Sequence, residues 1–400
     1  MEIFDSLSSA CAIILLVASL IAFILSSYKR PPGFPPGPRG LPIVGCILDV
    51  GRSPHISFMK LAKKYGDIFS IKLGSHTIVV LNNVELVNEA LIKKFNDFAG
   101  RPYIYSTDIF SEGRKDIIFG DFGPTWKLHR KLSHAAMRSY ASGQTLERLV
   151  IDEAFPKLRD LFRSKAGEEF DVKPMLMLVI CNIMATVCFN RKYSLDDEEF
   201  LEFVHTTEDM VHGVGNGLLA DFLHWAKYLP TPGPSTVKKL TERFTGFLRK
   251  KLDEHRRNFD KDNLRDLTDH LIHAQNEAVQ EGAEQVGSLT ETHMVQTLSD
   301  MFGAGIDTSS IAMNWCIVYM VKHPDIQATV AREIDTVIGR DRQPALSDRG
   351  SLPYCEAVIR EVLRIQTVAP LGIPHSACVD SSIVADVVRF IERCLKNGRP

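Results

Sequence analysis

Apolar residues at the start of the chain form one uninterrupted run. No charged side chain occurs at positions 6–28, and positions 10–25 are almost entirely Ala, Ile, Leu, Val and Phe. A run of this length spans a hydrocarbon core of roughly 30 Å. Two acidic residues precede the run, and Lys29 and Arg30 follow it, which favours a cytoplasmic location for the rest of the chain. We therefore predict a transmembrane anchor at residues 1–29, because the alternative, a cleaved signal peptide, normally starts with basic residues.

A proline-rich segment follows the apolar run. Residues 30–42 contain six prolines, whose fixed φ angles and missing amide donors prevent both helices and β-ladders. We predict a stiff hinge that holds the following domain at a defined height above the membrane. A plain linker without an orienting role is the alternative.

Beyond the hinge the pattern predicts a mainly α fold with a small β portion. Positions 56–65 have the apolar spacing of a short amphipathic helix. Two β-rich runs, 68–73 and 76–81, are separated by Gly74-Ser75 and predict a β-hairpin. Four longer segments have helical apolar spacing: Leu146–Ser164, Leu176–Phe189, Val237–Asn258 and Leu264–Glu281.

A long helix with a weak centre is predicted next. Ser288 and Glu291 have the spacing of a capping box, and the apolar periodicity runs from there to Lys322, about nine turns. Two glycines at its centre each cost roughly 1 kcal/mol against alanine. One interpretation is that Gly303, Ala304 and Gly305 make room for a flat group beside Asp307 and Thr308. The other is a close helix crossing with a solvated aspartate.

Several polar residues elsewhere are candidates for a binding site. Tyr354–Ile365 is a predicted helix that carries Glu361 and Arg364 on one face. Exposed, such a pair contributes only tenths of a kcal/mol, whereas a buried pair needs further partners and would act as a structural lock. Upstream, Trp126 and Arg130 are four residues apart on a helical face. Arg101 and the proline-containing stretch that ends at His375 complete the set, and that stretch cannot be helical.

Composition excludes two classes of function. Lys and Arg number 47 against 49 Asp and Glu, so the chain has no excess of positive charge with which to neutralise a nucleic acid. Eight cysteines occur without the CxxC pairs of a zinc site or the density of a disulfide scaffold. Reduced thiols in a cytosolic domain are the expected state.

Taken in order, these motifs resemble the cytochrome P-450 superfamily. The hinge, Trp126-x-x-x-Arg130, Ala304-Gly-Ile-Asp-Thr308 and Glu361-x-x-Arg364 all have counterparts there. Within it, the stretches Phe-Ala-Gly-Arg-Pro, Asp-Met-Phe-Gly-Ala-Gly and Val-Ala-Pro-Leu-Gly-Ile-Pro-His are similar to the steroid 17α-hydroxylase/17,20-lyase family. The resemblance implies a C-terminally truncated cytochrome P-450 fold preceded by one transmembrane helix, with an incomplete haem-monooxygenase-like domain at 43–383 and a divergent tail at 384–400.

The resemblance also implies roles for the candidate residues. Asp307 and Thr308 would be catalytic, delivering protons to oxygen. Haem b would be bound by seven residues: Arg101, Trp126, Arg130, Gly303, Ala304, Gly305 and His375. Ala304 and Arg243 would contact the steroid, and the pair Glu361 and Arg364 would be structural.

Partners and location follow from the same resemblance. We expect a steroid substrate, electron transfer from NADPH-cytochrome reductase with cytochrome b5 as a further partner, and no nucleic acid. The basic residues Lys127, Arg130 and Lys131 are candidates for docking the reductase. The expected location is the endoplasmic reticulum membrane, with a single span and the catalytic domain in the cytosol.

One part of the family pattern does not occur in the sequence. The haem-ligand signature Phe-x-x-Gly-x-Arg-x-Cys-x-Gly has no match, and Cys394 follows an arginine without the preceding glycine, in a stretch typical of a short helix. Because the chemistry needs an axial thiolate, we expect no metal ligand here and impaired activity, as in a fragment or variant product.

Four functions are therefore weighed. The first is oxygen insertion at carbon 17 of a pregnane steroid, with 17,20-lyase cleavage as a second step. The second is a catalytically inactive, membrane-bound sterol-binding or interaction protein. The third is a steroid 21-hydroxylase-like enzyme. The fourth is an unrelated helical membrane scaffold, which would require the order of the motifs to be a coincidence.

Overall fold

The computed structural model describes residues 33–383 except 52, 142–144, 216 and 284–285, and also residues 388–390 and seven positions between 14 and 22. Two compact units are present, each built from separate stretches of chain. The first contains residues 1–106, 217–231 and 373–400, and the second contains 107–216 and 232–372.

The predicted hairpin forms the centre of the first unit. Strands β1 (Ile68–Leu73) and β2 (His76–Leu81) pair antiparallel, with Ile68 opposite Leu81 and Leu73 opposite His76. Phe69 and Ile71 of β1 are buried with Cys46, Val50 and Phe58 in a small core. The predicted hairpin and the short helix before it are therefore both present.

The remaining elements of the first unit are short. A second pair of strands, β3 (Ser381–Ile383) and β4 (Val388–Phe390), is also antiparallel. The described part of the tail is thus a strand, and the predicted helix around Cys394 lies outside the described residues. The helices and helical turns are α1 (Ile47–Val50), α2 (Pro54–Tyr65), α3 (Val84–Asn88), a π turn (Glu89–Lys93), α10 (Leu219–Phe222) and a 3-10 turn (His224–Tyr228).

The second unit is helical throughout its described residues. A further helix, α4 (Tyr105–Phe110), begins in the first unit and ends in the second. The other α-helices are α5 (Pro124–Ala141), α6 (Thr145–Arg148), α7 (Phe155–Ser164), α8 (Val172–Phe189), α9 (Glu198–Gly215), α11 (Pro232–Arg257), α12 (Leu267–Gln280), α13 (Glu291–Lys322), α14 (Pro324–Val337) and α15 (Pro353–Ile365). A π turn at Leu149–Ala154 interrupts the helix that was predicted over Leu146–Ser164, and 3-10 turns occur at Val286–Ser288 and Leu346–Ser351.

The long helix α13 starts two residues later than its capping signal suggested. Thr290 is the N-cap, and its backbone N–H donates to Nδ1 of His293 at 3.0 Å. The predicted capping box of Ser288 and Glu291 is wrong, because Ser288 ends a 3-10 turn and its hydroxyl contacts Thr125 at 2.8 Å. The end of the helix before His323-Pro324 is as predicted.

Aromatic side chains pack against one side of α13 along its first two thirds. Phe302 is fully buried, stacks on Phe189 of α8 at 5.3 Å between ring centroids, and meets Phe203 of α9 edge-on at 5.1 Å. Phe203 in turn stacks on Phe247 of α11 at 4.2 Å. From position 311 to the end of α13 no residue is fully buried. The core therefore holds one part of the helix and leaves the other part accessible.

One described helix is long and apolar enough to cross a membrane. It is α8, with a mean hydropathy of 1.9, and half of its residues are buried inside the protein. Such burial is typical of a core helix. Most of the predicted anchor at 1–29 lies outside the described residues, and the few described positions in it are helical.

The aromatic cluster gives a first prediction. Phe302→Ala should lower the free energy of unfolding by about 3–5 kcal/mol, because it removes a fully buried ring and leaves a cavity. Val321→Ala on the same helix shortens a side chain that is 71% exposed, so it should change the free energy of unfolding by about 0.5 kcal/mol or less. Urea unfolding of both variants measures the difference; equal effects would contradict the packing described.

Candidate functional site

The glycine-interrupted turn of α13 has one buried and one open side. Phe302 and Ile306 are fully buried, whereas Ala304 and Thr308 are exposed. The Thr308 hydroxyl donates to the carbonyl oxygen of Ala304 at 2.5 Å, and Asp307 beside it is half-buried. The turn is thus accessible along the line from Ala304 to Thr308, as a flat group lying against it would require.

The two glycines of this turn serve different purposes. A side chain at Gly305 would meet the Cε and Sδ atoms of Met184 on α8 at 3.0 Å. A side chain at Gly303 would meet nothing within 4 Å. Gly305 therefore permits a close helix crossing, which was the competing interpretation of the pattern. Only Gly303 and Ala304 border open space in the way the flat-group interpretation expects.

Trp126 and Arg130 lie on the first two turns of α5. The Trp126 indole N–H donates to the carbonyl oxygen of Ile117 at 2.9 Å. The guanidinium of Arg130 lies over the indole ring, 5.4 Å from its centroid, and is exposed. The indole donor is therefore used by the preceding loop, while the arginine offers an accessible positive charge.

Arg101 and His375 are neighbours within the first unit. A bridge between Gly100 and Ser376 brings their chain segments together, and Arg101 Nη1 lies 3.0 Å from His375 Nδ1. The same Nδ1 is 2.7 Å from the carbonyl oxygen of Phe98, which can only accept, so the imidazole donates there. Burial and the Arg101 charge lower the pKa of His375, although the Phe98 contact opposes this. The imidazole hydrogen is thus used by Phe98, and the group that can attract an anion such as a carboxylate is the Arg101 guanidinium.

The remaining predicted residues are in exposed ion pairs. Arg364 Nε and Nη2 donate to both oxygens of Glu361 at 2.7 Å, and both side chains are more than half exposed. The pair forms as its spacing predicted, but with the exposure of a weakly stabilising contact. Arg243 donates to Glu202 at 2.8 Å on the surface of α11. The guanidinium that was expected near a steroid is therefore paired with a carboxylate.

Comparison with known proteins decides the family. The sequence profile of the family described as Cytochrome P450 matches residues 35–389, most of the chain. The protein belongs to the cytochrome P450 family. The match extends six residues beyond Ile383, where the resemblance was expected to stop. The mainly helical fold with few strands is confirmed, and the family implies a haem cofactor.

Individual relatives refine this result. The chain is 36% identical to a steroid 17-alpha-hydroxylase/17,20 lyase of Ictalurus punctatus over 394 residues, covering 97% of this chain and 76% of the relative. It is 37% identical to cytochrome P450 1A1 of Rattus norvegicus over 397 residues, covering 95% and 75%. A solved zebra fish cytochrome P450 with progesterone superposes with a TM-score of 0.76 at 32% identity, covering 84% of this chain and 76% of that one.

The described residues of this P450 fit the edges of a haem but not its iron. In the second unit the open face at Ala304 suits a planar group, and in the first unit the Arg101 guanidinium suits a carboxylate. Six cysteines are described, and three of them are buried in the protein core. Burial raises the pKa of the Cys181 thiol to about 12 and contributes most to raising that of Cys355 to about 11. Neither thiol is therefore a ready thiolate ligand for a haem iron.

Two polar groupings of this P450 were missed by sequence reasoning. His255, Asp266 and Asp269 are buried together, but Asp269 is held by two hydrogen bonds from the Arg265 guanidinium. His255 donates to Asp266 at 2.8 Å, so this grouping is internally satisfied. The second is formed by Asp116 and Asp300. A lone aspartate in the apolar stripe of α13 was the available signal for Asp300.

The glycine assignment gives a second prediction. Gly303→Ala should raise the free energy of unfolding by up to about 1 kcal/mol, because alanine is the better helix former and nothing opposes its side chain. Gly305→Ala should raise the free energy of unfolding by less, because the Met184 thioether must move aside. Thermal or urea unfolding of the two matched variants tests this, and a larger gain at 305 would contradict the crossing of α8 and α13.

Proposed function

We propose that this protein binds a pregnane steroid along the open face of α13 and belongs functionally with the steroid 17α-monooxygenases. The supporting observation is the accessible face at Ala304 and Thr308 in a chain that is 32% identical to a zebra fish cytochrome P450 with progesterone and superposes on it at a TM-score of 0.76. A second solved structure, with abiraterone, superposes at 0.73.

Residues on the open face of α13 would have different roles in the proposed site, according to their side-chain chemistry. Ala304 is small and exposed, so an apolar ring system can approach the helix backbone. Thr308 and Asp307 are a hydroxyl and a carboxyl on adjacent positions, suited to holding or passing a proton at the edge of the bound steroid. When bound, haem b supplies the oxygen-activating iron of the family.

A second candidate function is steroid binding without oxygen insertion, and one observation favours it. Of the six described cysteines, Cys46, Cys181 and Cys188 are buried, and burial raises the pKa of the Cys181 thiol to about 12. A 21-hydroxylase-like activity is a further candidate. The similarity to cytochrome P450 1A1, at 37% identity, shows that identity alone does not select the substrate.

Location and partners are part of the same proposal. An apolar anchor at 1–29 and a hinge at 30–42 would tether the domain at 43–383 and its tail to the cytosolic side of the endoplasmic reticulum. Lys127, Arg130 and Lys131 are all exposed on α5. Three cations on one helix suit the docking of an acidic electron donor such as NADPH-cytochrome reductase, with cytochrome b5 as a further partner.

Steroid binding gives a third prediction. The chain in microsomal membranes should bind radiolabelled progesterone saturably in equilibrium dialysis. Ala304→Leu should weaken this binding at least about tenfold, equivalent to about 1.4 kcal/mol, because the larger side chain fills the open face. Ser309→Leu, at an exposed position on another side of α13, should leave it unchanged.

Two outcomes would decide between the candidates. A thiolate-type Soret band after reduction and addition of carbon monoxide would support the monooxygenase. Saturable progesterone binding without that band would support the binding protein. If progesterone does not bind saturably, or if both leucine variants behave alike, the proposed steroid site is wrong.

A further inference from the structure

Two carboxyl groups are buried together where a loop meets α13. The loop comprises residues 111–123, and its Asp116 is 1% exposed; Asp300 of α13 is 5% exposed. Asp300 Oδ2 accepts from the backbone N–H of Ile117 at 2.8 Å. Asp116 Oδ2 accepts from the backbone N–H of Phe119 at 2.9 Å. Each acid therefore uses one oxygen to hold the backbone of the same loop.

The other oxygen of each acid has no hydrogen-bond partner. Oδ1 of Asp116 and Oδ1 of Asp300 are both buried and unsatisfied. An unpaired buried acceptor is unfavourable, and two negative charges buried beside the same loop are more so. The contact is therefore unfavourable as long as both acids are ionised.

Positive charge near the pair does not remove this cost. The Arg114 charge helps to lower the pKa of Asp116, but its Nε donates to the Phe119 carbonyl at 3.3 Å and its Nη2 lies 3.7 Å from Asp121. The imidazoles of His129 and His293 are close by, and burial lowers the pKa of both, that of His129 to about 4. Both rings are therefore neutral at physiological pH. Lys115 contributes to lowering the pKa of His293.

We propose that Asp116 and Asp300 share one proton, as a carboxylic acid paired with a carboxylate, and that this proton fastens loop 111–123 to α13. The shared hydrogen gives each Oδ1 atom the partner it lacks and leaves one negative charge in place of two. Both Oδ2 atoms keep their contacts to the loop amides. This inference does not depend on the steroid proposal.

The electrostatics of the pair agree with this arrangement. Burial raises the pKa of Asp116 to about 6, against smaller opposing contributions from loop amides and Arg114. Burial, and secondarily the charge of Asp116, raise the pKa of Asp300 well above its usual range. Two interacting acids of this kind titrate in separate steps, so the pair holds one proton over an extended pH range.

A cavity gives the proton a route to solvent. It has a volume of about 290 Å³ and is lined by Gly113, Arg114, Asp116, Gly120, Asp121, Thr125, Trp126, His129 and His293. Asp116 therefore borders the cavity, whereas Asp300 is not among the residues that line it. In the described residues, carboxylate and imidazole ligand atoms cluster within 4.8 Å only at His255, Asp266 and Asp269, so the cavity lacks the compact ligand set of a metal ion.

The pair acts as a positioning device for the candidate site. Asp300, Ala304 and Thr308 are four residues apart and lie on one side of α13. The loop held at Asp300 also supplies the Ile117 carbonyl that accepts from Trp126. Loss of the shared proton would restore repulsion between the acids and release the loop beside the open face.

The fourth prediction concerns pH. The pKa values of Asp116 and Asp300 are raised when loop 111–123 is closed on α13. When the loop opens, the two acids become exposed, and an exposed aspartate ionises above about pH 4. Above that pH the closed loop therefore holds one proton more than the open loop. Stability of the closed loop is complete below that pH and is lost as pH rises through the folded values. Opening should thus grow by about tenfold per pH unit in that window. Hydrogen exchange of the amides in 111–123, corrected for intrinsic rates from pH 5 to 8, measures it.

Amide variants supply the shared hydrogen permanently. In Asp300→Asn, the amide oxygen can accept from Ile117 while the amide N–H donates to Asp116, so loop exchange should become independent of pH. Asp116→Asn should do the same from the other side and serves if the first variant folds poorly. Asp253→Asn, an exposed helical aspartate, should keep the pH dependence of the unmodified chain.

A direct observation of the proton completes the test. The infrared C=O stretch of a protonated carboxylic acid should be present at neutral pH in the unmodified chain and in Asp253→Asn, and absent in both other variants. Absence of the band in the unmodified chain overturns the proposal. The proposal is also overturned if loop exchange in Asp300→Asn keeps the pH dependence of the unmodified chain. That result is expected if the acids are merely structural or are neutralised by a bound cation.

Discussion

The burial of one side of α13 against α8 is the constraint on which the candidate site depends. Phe302 and Ile306 are fixed in the core, which leaves the helix no freedom to rotate about its axis. Their neighbours Ala304 and Thr308 must therefore face outward. Gly305 lets the two helices approach closely, with the Met184 thioether in the space that a side chain would have taken. The open face is a product of tight packing behind it.

Local patterns predicted the elements well where the physics is local. The hairpin follows from two β-rich runs and a glycine turn, and α13 follows from its apolar spacing and its terminal proline. The N-cap was misplaced because Ser288 and Thr290 both have cap chemistry, and the imidazole of His293 selects the second. The purpose of each glycine could not be read from the sequence, because it depends on what another helix places opposite the missing Cβ.

The same distinction separates the site residues. Glu361 and Arg364 pair because three residues bring them onto one helical face, so spacing alone predicted their contact. Asp300 is held to an amide 183 positions away, and no local pattern contains that information. Arg101 and His375 were each proposed from motif resemblance, and an isolated bridge between the chain segments beside them brings them together. The sequence indicates which chemical groups these residues supply, whereas the fold decides which residues become their partners.

The hydroxyl of Thr308 has a consequence for the kind of group that can approach it. Its hydrogen is directed at the Ala304 carbonyl, so the oxygen presents lone pairs toward the accessible side of the helix. An approaching molecule thus meets an acceptor rather than a donor. Alcohols and ordered water complement that surface, whereas a ketone oxygen would first have to make the side chain rotate and give up its bond to the backbone.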